Sequence, residues 1–346
     1  MLRVVVVAAL GAWLGGLVGC GDLSEEDLLF RAAVPPKEAV AVTPPGSGDI
    51  DEGGNSLVQG LIVVCAEGDL RCEAQKIATG FNTLTFGLLD AIDAVAALTP
   101  TIRERGRRIW GPIYDAQKDQ TFRFEMVRAD DDVTFTFCLF MAQGQVELGE
   151  RNRELNCDSL EPGFLNVFSG SFQPSSIEDG ARRGQGTMRF EADRVSRFDG
   201  SSPFARTLDF AFDNQQERTD IHVDVVGASV GDEERDAAYD FEREADGSGT
   251  FLFDVFADLI SQGLLPTRRL EHIRLSARWN VEQGGRALGV VDDGDIAIGS
   301  VLTVEQCWAA APEFETSYFD VVDDVVQPVG DADACVFAVA DVTPAS

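Results

Sequence analysis

The chain has 346 residues, with 59 acidic against 28 basic side chains and a net charge of −31. Such an excess of carboxylates excludes non-specific nucleic-acid binding, which needs a basic footprint. It also excludes adhesion to anionic lipid headgroups through the overall surface field.

The first residues are Met1-Leu2-Arg3, followed by an uncharged run from Val4 to Val18. A charged start, a short apolar core and a small-residue exit predict a secretory signal. The run falls short of the ~20 apolar residues of a membrane-spanning helix, and Gly15, Gly16 and Gly19 weaken it as a helix. It ends in Leu17-Val18-Gly19-Cys20. This tetrapeptide resembles the lipobox of bacterial lipoproteins at every position. The resemblance implies cleavage before Cys20 and acylation of Cys20, palmitate included, on its sulfur and new amino terminus. The chain would then be membrane-anchored through Cys20. In that family the residue after the cysteine influences sorting, and Gly21, where an aspartate would hold the protein back, points to the outer membrane. The expected organisation is a signal peptide over 1–19, a lipidated flexible tether over 20–58 and a β-rich globular domain over 59–346, with a possible subdivision near residue 200. Val34-Pro35-Pro36, Thr43-Pro44-Pro45-Gly46 and Gly53-Gly54-Asn55-Ser56 supply the tether's composition.

Apart from Cys20, six cysteines remain: Cys65, Cys72, Cys138, Cys157, Cys307 and Cys335. An even number in an exported chain predicts disulfides. Sequence proximity favours Cys65–Cys72, Cys138–Cys157 and Cys307–Cys335. A zinc site is disfavoured, since no C-x₂-C spacing occurs and the two histidines lie far from the cysteines.

From Cys72 to about Leu98 apolar residues step by three and four: Ile77, Phe81, Leu84, Leu88, Ile92 and Val95. Pro100 ends the pattern. The opposite side, with Ala78, Thr85, Ala91, Ala94 and Ala96, is barely polar, which predicts a helix buried on most sides. Beyond residue 107 the period becomes two. Phe122, Phe124 and Met126 alternate with Arg123, Glu125 and Val127, and a turn at Asp130–Asp132 leads to the alternation from Val133 to Met141. Further strands are expected over 164–172, 188–192, 208–212, 221–225, 251–255, 273–281, 301–308 and 336–340, with turns that include Gly284-Gly285. Many short strands without βαβ alternation predict an antiparallel meander. A transmembrane barrel would need longer strands and aromatic girdles. The expected fold class is α+β: one long apolar helix near the amino terminus, packed on or inside a large antiparallel meander, half-barrel or barrel-like.

Chemistry is sparsely marked. Gly227-Ala228-Ser229-Val230-Gly231 fits the nucleophile-elbow pattern G-x-S-x-G. A hydrolase would use Ser229 as nucleophile and His272 as base, but the flanking βα units are lacking, and a hairpin turn explains the glycines. His222 and His272 are the two histidines, each on the polar phase of its strand; metal or acid–base roles compete there with simple solvation. The acidic turns Asp130–Asp132, Asp292–Asp295 and Asp320–Asp324 either cap backbone amides or gather oxygens for calcium. Arg103, Arg105, Arg107 and Arg108 form a basic island, read as a solvated loop or as a contact for phosphate or carboxylate groups. Arg182-Arg183 and Arg268-Arg269 are expected as turn charges. No catalytic residue, cofactor or metal is assigned. The functional expectation is a non-enzymatic envelope lipoprotein that binds an apolar ligand or a partner protein. An apolar ligand would require a cavity lined by Phe122, Phe135, Phe137, Leu88 and Ile92. The alternatives are a surface-interaction protein with a filled core and, remotely, a serine hydrolase.

Overall fold

A computed structural model describes residues 23–44, 69–131, 133–146, 157, 163–178, 181–200, 205–214, 218–230, 233–257, 270–294, 300–310, 315–322 and 327–343. Cys20, the leader, Cys65, Asp132, Asp295, Asp323–Asp324 and Arg268-Arg269 lie outside them. Among the described residues there are fifteen antiparallel strands, arranged in chain order within each of two units. The chain divides into two units. The first is Met1–Val40 with Leu84–Gln215, and the second is Ala41–Thr83 with Gln216–Ser346. The expected subdivision near 200 thus falls at 215, with amino-terminal segments contributed to each unit.

The first unit holds α1 (Glu25–Ala32), α2 (Lys37–Val40), the second part of α3 (Leu70–Ala96), α4 (Ala192–Asp199) and strands β1 (Ile102–Glu104), β2 (Arg107–Asp115), β3 (Gln120–Arg128), β4 (Phe135–Gln143), β5 (Phe164–Glu178), β6 (Ala181–Phe190) and β7 (Thr207–Asp213). Each strand pairs with the next. Prolines fall where they do least harm, because they cannot donate to a ladder. Pro112 sits at the register break of β2 between Trp110 and Ile113, and Pro174 borders the one in β5. One face of the sheet is lined by rings: Phe137 stacks on Phe168 at 5.6 Å and Phe172 on Phe212 at 5.9 Å. The other face of β4 is buried too, with Cys138, Phe140 and Ala142 clustered with Phe164, Val146 and Cys157. The Cys138–Cys157 disulfide, Cα atoms 5.5 Å apart, fastens this second core.

The second unit holds the first part of α3 and strands β8 (Thr219–Val230), β9 (Glu233–Arg243), β10 (Gly249–Ala257), β11 (Glu271–Asn280), β12 (Gly284–Asp293), β13 (Leu302–Trp308), β14 (Thr316–Val322) and β15 (Val329–Gly330), with 3₁₀ turns at Ala332–Ala334 and Val339–Asp341. The Phe81 ring lies 6.3 Å from Tyr239, which in turn lies 4.7 Å from Phe253. The Asn82 side chain bonds the backbone of Val42 twice, accepting from its N–H at 2.8 Å and donating to its carbonyl at 2.7 Å. Cys307–Cys335 closes the second described disulfide, with Cα atoms 5.6 Å apart. Cys72 is disulfide-bonded as well, to a partner outside the described residues.

The helix expected from Cys72 to Leu98 is α3. Ile77, Phe81, Leu84 and Ile92 are buried along it, and so are Ala78, Thr85, Ala91 and Ala96 on the other side. Other expectations need correction. The flexible tether expected over 20–58, with one possible helical turn at Leu23–Phe30, does not fit the described residues 23–44: that turn is part of α1, and Phe30, Ala39 and Val40 are wholly buried. The prolines here punctuate two short helices and do not open a linker. The basic island expected as a loop forms the β1–β2 hairpin. The strand expected to reach Ala192 stops at Phe190, and Ala192 begins α4. Gly284-Gly285 opens β12 and is not a turn. No strand forms over 336–340: 336–338 are bends and coil, and the 3₁₀ turn Val339–Asp341 follows.

Candidate functional site

In the second unit, the polar face of β8–β12 collects the two histidines with four carboxylates. Its geometry follows from register. His222 on β8 stands opposite Asp240 on β9. Asp254 on β10 stands opposite Arg274 on β11, and His272 on β11 stands opposite Asp292 on β12. Residues two apart share a face of a strand, so all of these groups project from one side.

Each imidazole is held between two carboxylates. His222 Nδ1 lies 2.5 Å from Asp240 and Nε2 lies 3.1 Å from Asp224. His272 Nε2 lies 2.7 Å from Asp254 and Nδ1 lies 3.3 Å from Asp292. Asp292 also accepts from Arg274 at 2.6 Å. The Phe256 ring stacks on His272 at 4.6 Å, and the Arg235 guanidinium lies 5.3 Å from the centroid of the same Phe256 ring. At His222, acceptors at both nitrogens favour the imidazolium, which offers two donors. The hydrogen bond to Asp240 raises the His222 pKa above its ordinary value; partial burial opposes this, and the Asp240 and Asp224 charges reinforce it.

This arrangement brackets each ring with carboxylates. It does not suit metal ligation, because the two carboxylates on each ring sit at opposite nitrogens. Among the described residues, the one group with metal-like clustering is Glu305, Cys307 and Cys335. Its sulfurs are joined to each other, and Glu305 is paired with Arg286, so no donor set remains.

The other candidates fall elsewhere. Ser229 lies in β8, opposite Glu234 of β9. The chain continues into a strand, so the strand–turn–helix of a nucleophile elbow is absent at that place. Asp131 caps its own turn, accepting from Val133 N–H at 3.0 Å and Thr134 N–H at 2.8 Å. Asp320 accepts from the Tyr318 hydroxyl at 3.2 Å. Arg182 and Arg183 belong to β6.

The basic island has a structural task in the first unit. Arg108 is nearly fully buried; its Nε donates to Asp27 at 2.5 Å and its Nη2 to Glu26 at 2.6 Å. Arg103 reaches Asp27 at 3.0 Å, and Arg107 reaches Glu125 at 2.8 Å. These contacts clamp α1 to the β1–β2 hairpin. Asp27 is also half of a capping box with Ser24. Burial opposes ionisation of Asp27, and hydrogen bonds from Ser24 and Arg108 outweigh it, leaving its pKa below the usual value. Neither this clamp nor the Asp240 and Asp254 partners of the histidines was visible in the sequence, since the contacts span strands or more than eighty residues; a strand register would have revealed the histidine pairs.

No protein-family model, curated protein or solved structure matches this chain. Among the described residues, no helix is long and apolar enough to cross a membrane.

Proposed function

We propose that this chain is a non-enzymatic cell-envelope lipoprotein, exported and anchored in the outer membrane through Cys20, that binds a partner protein at its surface. The architecture we infer is α+β, with α3 laid on the strands; the Phe81–Tyr239 contact and the Arg71 N–H bond to Gln306, 3.0 Å, support it.

The observation that carries the reading is how the interior is filled. Phe137 stands opposite Gly170 and Phe212 opposite Gly186. A Cβ at Gly170 would lie 2.6 Å from the Phe137 ring, and one at Gly186 would lie 2.8 Å from Phe212. These rings press against the backbone of the neighbouring strands and fill that space. Phe135 packs edge-on against Phe30 at 5.4 Å. Dense packing of Phe135 and Phe137 favours the filled-core form over a carrier, and leaves the charged face of β8–β12 as the surface best suited to a partner.

Native mass spectrometry of the chain from Gly21, expressed in the periplasm, tests this. The expected result is a mass with all six remaining cysteines oxidised and no small-molecule adduct. A retained lipid-sized mass would overturn the filled-core reading in favour of a carrier. Labelling by a serine-reactive phosphonate, lost on Ser229→Ala, would overturn the non-enzymatic one.

A further inference from the structure

We infer that the corner formed by α1 and the β1–β2 hairpin is the membrane-contacting surface of the protein, with Leu28 and Leu29 seated in the lipid headgroup–acyl boundary. The inference rests on the proposed anchor at Cys20 and adds to it the orientation of the first unit and the residues that touch lipid.

Chain length comes first. Glu25, where α1 begins, is five residue steps beyond Cys20. Fully extended they span at most about 18 Å. Helix α1 is fixed to the fold, with Phe30 wholly buried and Asp27 paired to Arg108 and Arg103. A domain hung on a long tether could face any way, but one fixed this close to its acyl chains cannot.

The outer face of α1 is the second observation. Glu25, Leu28, Leu29 and Ala32 recur at helical spacing away from the buried Asp27 and Phe30. Leu28 is 51 % exposed and Leu29 is 40 % exposed. Two adjacent exposed leucines on a helix within reach of a lipid anchor match the chemistry of the bilayer boundary, where interfacial helices bury their apolar side chains.

Charge is the third. In a chain of net charge −31, most of the surface is repelled by anionic headgroups. At this corner four of the five carboxylates are matched by guanidiniums, Glu26 and Asp27 by Arg108 and Arg103, and Glu104 and Glu125 by Arg107, leaving Glu25 at the start of α1. Arg105 stands exposed at the turn of the hairpin. Gly106 N–H donates to Glu26 at 3.2 Å, which holds that turn beside the helix.

The test uses the full-length acylated protein in phosphatidylethanolamine–phosphatidylglycerol vesicles whose acyl chains carry bromine, a short-range quencher of indole fluorescence. Trp110, Trp279 and Trp308 are buried and give a constant background. Leu28→Trp and Leu29→Trp place an indole on the proposed surface. Gln117→Trp places one in the turn at the far end of β2, whose nine residues span about 30 Å. The expected result is loss of most of the added emission for both leucine variants and little loss for Gln117→Trp. Acylated protein that floats with the vesicles but shows no quenching at either leucine position overturns the inference and leaves the anchor standing, as does equal quenching at all three positions. Failure to float, with no acyl mass on Cys20, overturns the anchor and the inference with it.

Discussion

Asp27→Ala is the perturbation that the amino-terminal clamp makes most informative. Asp27 is buried and accepts from Ser24 N–H at 2.9 Å and from Arg108 Nε at 2.5 Å, with Arg103 3.0 Å away. Truncating one partner of a buried ion pair costs about 3–5 kcal/mol, because the other charge is left uncompensated. Arg108 would keep Glu26 and the carbonyls of Glu104 and Arg107, so the lower end, about 3 kcal/mol, applies. For a unit of this size that corresponds to a fall of roughly 6–12 °C in Tm. Calorimetry should show it in one transition and leave the other in place if the two units melt separately. Replacing both partners, Asp27→Ala with Arg108→Met, should cost less than the two single changes summed, since no unpaired charge remains. The folded pKa of Asp27 is depressed, so the clamp's contribution is fully present above the ordinary carboxylate value of about 3.9 and is lost as pH falls through the folded value. The gap between wild type and Asp27→Asn should therefore close in acid. A Tm shift below about 2 °C for Asp27→Ala, or strict additivity with Arg108→Met, would refute the clamp.

Other outcomes follow from the same structure. Gly170→Ala should destabilise by about 1–3 kcal/mol through overpacking against the Thr187 carbonyl and the Phe137 ring, measured by urea unfolding; a neutral result would show that both give way without cost. Removing the disulfide by Cys138→Ser with Cys157→Ser should cost about 3 kcal/mol for its 19-residue separation, seen as a lower denaturation midpoint. The His222 pKa is raised, so its carboxylate contacts stabilise fully below the unfolded value of about 6.5 and fade as pH rises through the folded one. His222 is about half exposed, and the effect should stay within about 1 kcal/mol. The urea midpoints of wild type and His222→Gln should differ near pH 6 and converge near pH 9, and a gap that widens with pH would contradict the pairing.

What the sequence made legible was periodic. α3 could be read from Ile77, Phe81, Leu84 and Ile92 because a 3.6-residue period over seven turns has few competitors. β3 and β4 were readable because Phe alternates with other residues on both sides of an Asp turn. Strand β9, Glu233-Glu234-Arg235-Asp236-Ala237-Ala238-Tyr239-Asp240-Phe241-Glu242-Arg243, was missed because its buried phase is carried largely by Ala237 and Phe241 amid charges. β12 was missed because its two glycines read as a turn. The basic island misled for a physical reason: arginines within two or three residues of each other look solvated until a distant partner is known. Arg108 finds that partner in Asp27, 81 positions earlier. The site suffered the same blindness. His222 and His272 could be placed on the polar phase, and Asp224 lies two residues beyond His222, but Asp240, Asp254 and Asp292 come from neighbouring strands whose registers no single strand encodes.

The aromatic–glycine pairs explain where functional variation has room to act. Phe137 and Gly170, Phe212 and Gly186, Trp279 and Gly249, and Trp308 and Gly285 each face one another across a strand pair. A glycine inside a strand costs about 0.5–1 kcal/mol relative to alanine, so four such placements opposite large rings need a compensating gain. Each ring covers the bare backbone of its neighbour, excluding water and gaining dispersion contacts that a Cβ would block. The same contact fixes register, since a one-residue slip would set a ring against a side chain. Such an interior is committed on both sides of every pair, and enlarging it would sacrifice register as well as packing. Recognition is therefore expected to evolve on the outside, among the carboxylates around His222 and His272 and on the leucines of α1, where substitutions leave these pairs untouched.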